Sequence, residues 1–117
     1  MVLKFFLNLS KEEQKRRFLA RIDTPEKNWK FSFSDVKERA YWDDYMGAFE
    51  DAFNHTSTEH APWYIVPADH KWFTRAAVAE VIVEKLKSLK LHYPVSSKKH
   101  RQDLLEAKKI LMKEPKT

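Results

Sequence analysis

Arg17 and Arg21 stand one helical turn apart in the stretch "KEEQKRRFLARIDTPEKNWKF", and Lys27 and Lys30 follow within the next nine positions. Guanidinium groups at that spacing can fork onto successive phosphates of a chain, and lysine ammonium groups act beside them as adjustable point charges. Together with Lys11, Lys15 and Arg16 they form a cationic run suited to holding a polyanion rather than to making or breaking a bond. A charge run alone usually marks a solvated face. What raises this one above that reading is the placement of Arg17 and Arg21 on one helical face, directly before a hinge built from Pro25, Trp29 and Phe31. A mobile lid over a chain of phosphates has this composition.

Other residues invite chemistry less strongly. Asp69 and Lys71 follow the second apolar segment, at what would be the C-terminal edge of a sheet, where α/β proteins bind ligands. They are candidate ligand-edge residues. Asp43 and Asp44 could act as acid or base groups but are expected to pair with neighbouring Lys and Arg. "HTSTEH" brings His55, Glu59 and His60 together at a spacing unlike the helical zinc pair H-E-x-x-H, so no metal site is assigned. Trp29, Trp42, Trp63 and Trp72 could stack bases, yet aromatics at such spacings are expected to be core. No residue is assigned a catalytic role.

Composition removes several classes of function. Lys and Arg number 22 against 17 Asp and Glu, a net charge of +5, which favours anionic partners. With no cysteine there is no disulfide, thiolate zinc site or thiol nucleophile, which fits a reducing compartment. Gly47 is the sole glycine, so neither GxxxxGK[ST] nor GxGxxG can occur in this chain. Any phosphate cradle must come from elsewhere. Apolar runs such as "FFL" are far too short for a membrane span, and no signal-peptide pattern is present. The expectation is a cytoplasmic protein with no membrane partner.

The elements that must position these residues follow from periodicity. "VLKFFLNL", Val2 to Leu9, is nearly continuously apolar, the pattern of a strand covered on both faces in a parallel sheet. It begins almost at Met1, which suggests the later part of a larger α/β unit. Ser10 caps a helix, Glu13 completes an S-x-x-E capping box, and the helix is expected to reach about Ile22 with Gln14, Arg17 and Arg21 on one face. Its apolar strip of Phe18, Leu19 and Ile22 is narrow, so it should be mostly solvated. "NWKFSFS" reads as a loop anchored by Trp29 and Phe31, and Ser34 is expected to cap a long amphipathic helix whose stripe runs from Tyr41 to Phe53. "WYIVPA" is a second strand ended by Pro67, and a helix follows from about Lys71 to Leu89. After Pro94 comes a charged C-terminal helix within residues 95–117, with Leu104, Leu105, Ile110 and Leu111 as its strip. The order β-α-α-β-α-α gives the fold class: an α/β fragment, mostly helical, with two strands of a parallel sheet. Two strands written for burial leave an open apolar edge, so a homo-oligomer is expected unless an N-terminal half covers it.

"SKEEQ" with Arg17 and Arg21, "DTPEKNWKFS", "WDDY" and "TSTEHAPWYIVPADHKW" resemble, in order, the later part of the type-2 polyphosphate kinases, P-loop-kinase-like enzymes that move phosphoryl groups between inorganic polyphosphate and nucleotides. The resemblance runs from about Val2 to Pro94 and is nearest to the branch acting on nucleoside mono- and diphosphates. It implies that residues 1–94 are the C-terminal half of such a domain and that residues 10–34 are its lid. Lys11, Arg17, Arg21, Lys27 and Lys30 would then face polyphosphate, with ADP or AMP and Mg²⁺ bound by the complete enzyme. The family's phosphate-binding loop and its Mg-holding aspartate motif lie upstream of the strand that opens this sequence, and neither is present. The chain thus resembles a C-terminal portion, from a truncated gene or a separately encoded piece, incomplete for catalysis alone. Two other readings stay open: a basic nucleic-acid-binding module, and an oligomerisation protein that kept the fold and lost the reaction.

Overall fold

The computed structural model describes residues 1–115 of the 117. It divides into two compact units, residues 1–85 and a second that begins at Leu86. In the first, β1 (Lys4–Asn8) and β2 (Trp63–Pro67) pair in parallel, Lys4 opposite Trp63 and Asn8 opposite Pro67. A parallel pair needs a long crossover. Here it consists of α1 (Lys11–Ile22), a 3₁₀ segment (Pro25–Lys30), α2 (Phe33–Glu38), a 3₁₀ turn (Arg39–Tyr41) and α3 (Trp42–Thr56). This is the mostly helical, two-stranded α/β arrangement expected, with one more helix in the crossover.

Alternation along the strands decides what packs where. Phe6 meets Phe49 and Phe53 of α3, with ring centroids 4.7 and 5.0 Å apart, and Phe53 meets Trp63 at 5.3 Å. Phe5 and Tyr64, on the opposite face, stack at 5.5 Å. The core is nonetheless thin. Among the described residues only Val66, Ala68 and Thr74 are buried, and Leu7 of β1 is 52% exposed. The sequence pattern of β1 calls for cover on both faces, and these elements do not supply it.

Local differences from expectation have local causes. The stretch after Pro25 forms a 3₁₀ segment rather than a loop, because the Asn28 side-chain amide donates to the Arg21 and Ile22 carbonyls (both 2.8 Å) and folds it back onto the end of α1. Phe31 anchors it by edge-on contact with Phe18 at 6.1 Å, whereas Trp29 is 79% exposed and anchors nothing. Ser32, not Ser34, precedes α2, and its hydroxyl bonds that of Ser34 (2.7 Å) instead of capping the helix. The long helix expected up to Phe53 is interrupted at Arg39–Tyr41 and starts afresh at Trp42.

α4 (Lys71–Ser88) follows β2, and the Thr74 hydroxyl donates to the Pro67 carbonyl (2.8 Å). In the second unit, α5 (Lys98–Met112) is capped by Ser97, whose hydroxyl accepts from the His100 N–H (3.1 Å). Leu104, Leu105, Ile110 and Leu111 of its strip are exposed. The C-terminal helix expected within 95–117 is thereby found over Lys98–Met112, and residues 116 and 117 lie outside the described residues. Among the described residues no helix is long and apolar enough to cross a membrane.

Candidate functional site

The first turn of α1 is tied to the C-terminal end of β2 by two contacts. The Ser10 N–H donates to the Asp69 carboxylate (2.8 Å), and the Arg17 guanidinium donates to the Ala68 and Asp69 carbonyls (2.9 and 3.1 Å). Ser10 caps as expected, its hydroxyl accepting from the Glu13 N–H (3.1 Å). The reciprocal half of the capping box is absent. Asp69 takes the Ser10 N–H, and the Glu13 carboxylate turns instead to Arg16 Nε (2.7 Å) and Arg17 Nε (3.0 Å). The Arg16 guanidinium chiefly, and Arg17 with it, hold the Glu13 carboxyl down at about 2. The Ser10 N–H likewise lowers that of Asp69. Asp69 at the sheet edge is therefore a fixed anion that positions α1.

Arg39 adds a third tie that sequence reasoning missed. Its guanidinium donates to the Lys11 carbonyl (3.0 Å) and to Gln14 Oε1 (2.8 Å), joining the first turn of α1 to the corner before α3. Gln14, expected on one face with Arg17 and Arg21, is thereby engaged by Arg39. Sequence separation hides this contact, since nothing in the local spacing marks Arg39.

The expected phosphate-binding cations divide into two kinds. Arg17 is held at 25% side-chain exposure by Glu13 and the two carbonyls. Lys11, Arg21, Lys27 and Lys30 make no ion pair among the described residues. Three of them lie against aromatic rings: Lys11 over Trp42 at 6.0 Å, Arg21 over Phe18 at 6.0 Å and Lys30 over exposed Trp29 at 5.0 Å. Such placement orients a cation without neutralising it. Lys71 is the exposed first residue of α4, two positions after Asp69.

Asp43 and Asp44 lie exposed in the first turn of α3 and pair with no Lys or Arg among the described residues, contrary to expectation. There they complement the positive end of the helix. His55 contacts the Asp51 carbonyl (2.7 Å) and His60 the Thr58 hydroxyl (3.3 Å). Trp42 and Trp63 are half-buried, but Trp72, like Trp29, is exposed, so the aromatics are only partly core. A mostly apolar cleft of about 350 Å³ opens beside β1, walled by Phe6, Leu7, Phe18, Trp42, Met46 and Phe49.

Comparison with known proteins places this geometry. A family model described as "Polyphosphate kinase 2 (PPK2)" matches residues 1–94. An "uncharacterized protein in chlN 3'region" of Leptolyngbya boryana is 69% identical over 114 residues, 97% of this chain and 84% of that protein. An ADP-polyphosphate phosphotransferase of Rhodopseudomonas palustris is 54% identical over 112 residues, 96% of this chain but 39% of that enzyme. The crystal structure of polyphosphate kinase 2 from Arthrobacter aurescens TC1 superposes with a TM-score of 0.78 at 47% identity, covering 90% of this chain and 38% of that one. The chain thus spans less than two fifths of these two enzymes, and the aligned part corresponds to a P-loop-kinase-like α/β fragment. By the family match over residues 1–94, the chain belongs to the polyphosphate kinase 2 family.

Proposed function

We propose that this chain is the lid-bearing, polyphosphate-holding portion of a cytoplasmic polyphosphate kinase and that it cannot transfer a phosphoryl group without a partner bearing the phosphate loop. One observation carries the reading. Glu13 is shared by Arg16 and Arg17 and offsets one of their two charges, while Lys11, Arg21, Lys27 and Lys30 keep their charge unpaired on α1 and the 3₁₀ segment folded back on it. A row of unpaired cations on one compact element is costly unless solvent or an anion compensates it, and a flexible chain of phosphates fits such a row. Arg17 serves the same set differently: it holds α1 against the sheet edge so that the others present their charge together. Residues 10–34 are the lid, and Asp69 marks the sheet edge it meets, with Lys71 two residues further on.

Phosphoryl transfer depends on positioning and on charge neutralisation by loop, lysine and metal together. A chain with one glycine, Gly47, has no such loop. Mg²⁺ in the complete enzyme would bridge phosphate oxygens. Among the described residues no three His, Asp or Glu gather as a metal-holding group, and Asp69 is already engaged by Ser10, so these residues do not fit that ion and no step is derived through it. ADP or AMP would be the nucleotide of the assembled enzyme, as the Rhodopseudomonas relative's name indicates for ADP in that protein.

A second reading, binding of single-stranded nucleic acid, is favoured by exposed Trp29 with Lys30 above it, a pairing that can stack a base beside a phosphate. Competition at fixed salt separates the two. Long-chain polyphosphate is expected to displace labelled single- or double-stranded DNA at lower phosphate concentration than DNA displaces labelled polyphosphate. The reverse order would favour the nucleic-acid reading.

A further inference from the structure

The unpaired cations of the lid are not gathered at one place. The Asn28 amide holds the Pro25–Lys30 segment against the last turn of α1 through the Arg21 and Ile22 carbonyls (both 2.8 Å), so Lys27 and Lys30 share one end of the lid with Arg21. Lys11 opens α1, at its other end. A helix rises about 1.5 Å per residue, which sets the Lys11 and Arg21 backbones about 15 Å apart along the axis. Between them stand Arg16 and Arg17, both engaged by Glu13. An anion bound at the Arg21 end must be long to be bound by Lys11 as well.

Two side chains from outside the lid fix the Lys11 end. Arg39 Nη1 donates to the Lys11 carbonyl (3.0 Å) and to Gln14 Oε1 (2.8 Å), and the Trp42 ring centroid lies 6.0 Å from the Lys11 ammonium. Both side chains come from the break between α2 and α3, where Arg39 begins the 3₁₀ turn and Trp42 begins α3. Arg39 and Trp42 are half-buried, whereas Lys11 is exposed. They form a mount that leaves the ammonium to solvent. Ordering a lysine side chain costs rotamer freedom, and holding its backbone and resting its charge near a ring removes part of that cost before an anion arrives.

We propose that Arg39 is a positioning residue for chain length: by fixing Lys11 at the end of the lid opposite Arg21, Lys27 and Lys30, it makes the lid discriminate a long chain of phosphates from a short one. A triphosphate is held by the cations at the Arg21 end and stops short of Lys11, while a long chain spans both ends. The discrimination is thereby assigned to a residue that touches no phosphate. The proposal deepens the polyphosphate-holding reading and rests on it.

The test measures binding of two probes, long-chain polyphosphate and tripolyphosphate, to the full chain by titration calorimetry at fixed salt. Lys11→Gln should weaken long-chain binding about fivefold, the loss of one solvent-exposed ion pair at the upper end of its range, and leave tripolyphosphate binding unchanged. Arg39→Ala should reproduce this pattern, and Arg39→Lys, which keeps one donor for the Lys11 carbonyl, should lose less. In the Lys11→Gln background Arg39→Ala should cost no further affinity, because the residue it positions is gone. A role confined to stability, or direct contact of Arg39 with phosphate, would lower affinity in both backgrounds, and that result overturns the proposal. Equal losses for the two probes in Lys11→Gln overturn it whether or not the Arg39 variants fold, as does unchanged long-chain binding. If the unaltered chain binds neither probe, the polyphosphate-holding reading fails and the proposal with it. If it binds both and only these comparisons fail, the proposal alone falls.

Discussion

Arg17→Ala removes the guanidinium that joins α1 to the end of β2, and its cost can be worked from the contacts. One terminal nitrogen donates to both the Ala68 and Asp69 carbonyls (2.9 and 3.1 Å), so the two count as a single shared, charge-assisted interaction. The Arg17 side chain is 25% exposed, so water screens this interaction only in part. Hydrogen bonds of a charged donor are worth about 1.5–3 kcal/mol, and a loss of about 2 kcal/mol is expected here. The Glu13 arm adds little, because Arg16 still engages that carboxylate. Arg16→Ala is the matched control. Its side chain is 69% exposed in its pair with Glu13. Solvent screening leaves such a surface pair a small fraction of the clasp's worth. Urea unfolding followed by tryptophan fluorescence reads the difference. With a slope of about 1 kcal/mol per molar for a unit of this size, the midpoint should fall by about 2 M for Arg17→Ala and by a small fraction of that for Arg16→Ala. Arg17→Lys should fall between them, since one ammonium cannot replace the fork. Equal shifts for Arg16→Ala and Arg17→Ala would refute the clasp.

Two further outcomes follow from the same contacts. Glu13 titrates at about 2 in the fold against 4.5 ordinarily, and Asp69 is also lowered; a depressed carboxyl stabilises the fold fully at neutral pH and loses that contribution as pH falls through the ordinary value toward the folded one, so urea midpoints should decline down that range and Asp69→Asn should flatten part of the decline. Removing charge at Arg21 and Lys27 together should weaken polyphosphate binding, measured by titration calorimetry, roughly tenfold more than the same change at Lys108 and Lys109 of α5, with urea midpoints unchanged in both.

Much of this was legible in the sequence, and the gaps have a common cause. The α1 cap at Ser10, both strands and the final helix follow from patterns within a few residues, and the structure forms them there. The capping box failed because a carboxylate 59 residues away, Asp69, competes for the same N–H, and no local pattern weighs that rival. Arg39 was invisible for the same reason, its partners being 28 and 25 residues distant. Pro67 read only as the end of a strand; that it stands opposite Asn8 appears once the register with β1 is known. The cationic run was legible as a run, but which of its members Glu13 engages required side-chain geometry.

The central claim, that this chain holds polyphosphate yet lacks the means to move a phosphoryl group, is tested most directly by a transfer assay. Purified chain is incubated with long-chain polyphosphate, Mg²⁺ and either ADP or AMP, and new phosphoanhydride is measured in parallel with polyphosphate binding on the same preparation. The account predicts saturable binding with no transfer above background by the chain alone, and transfer once a partner bearing the phosphate loop is added. Turnover by the chain alone, free of contaminating kinase, would contradict it.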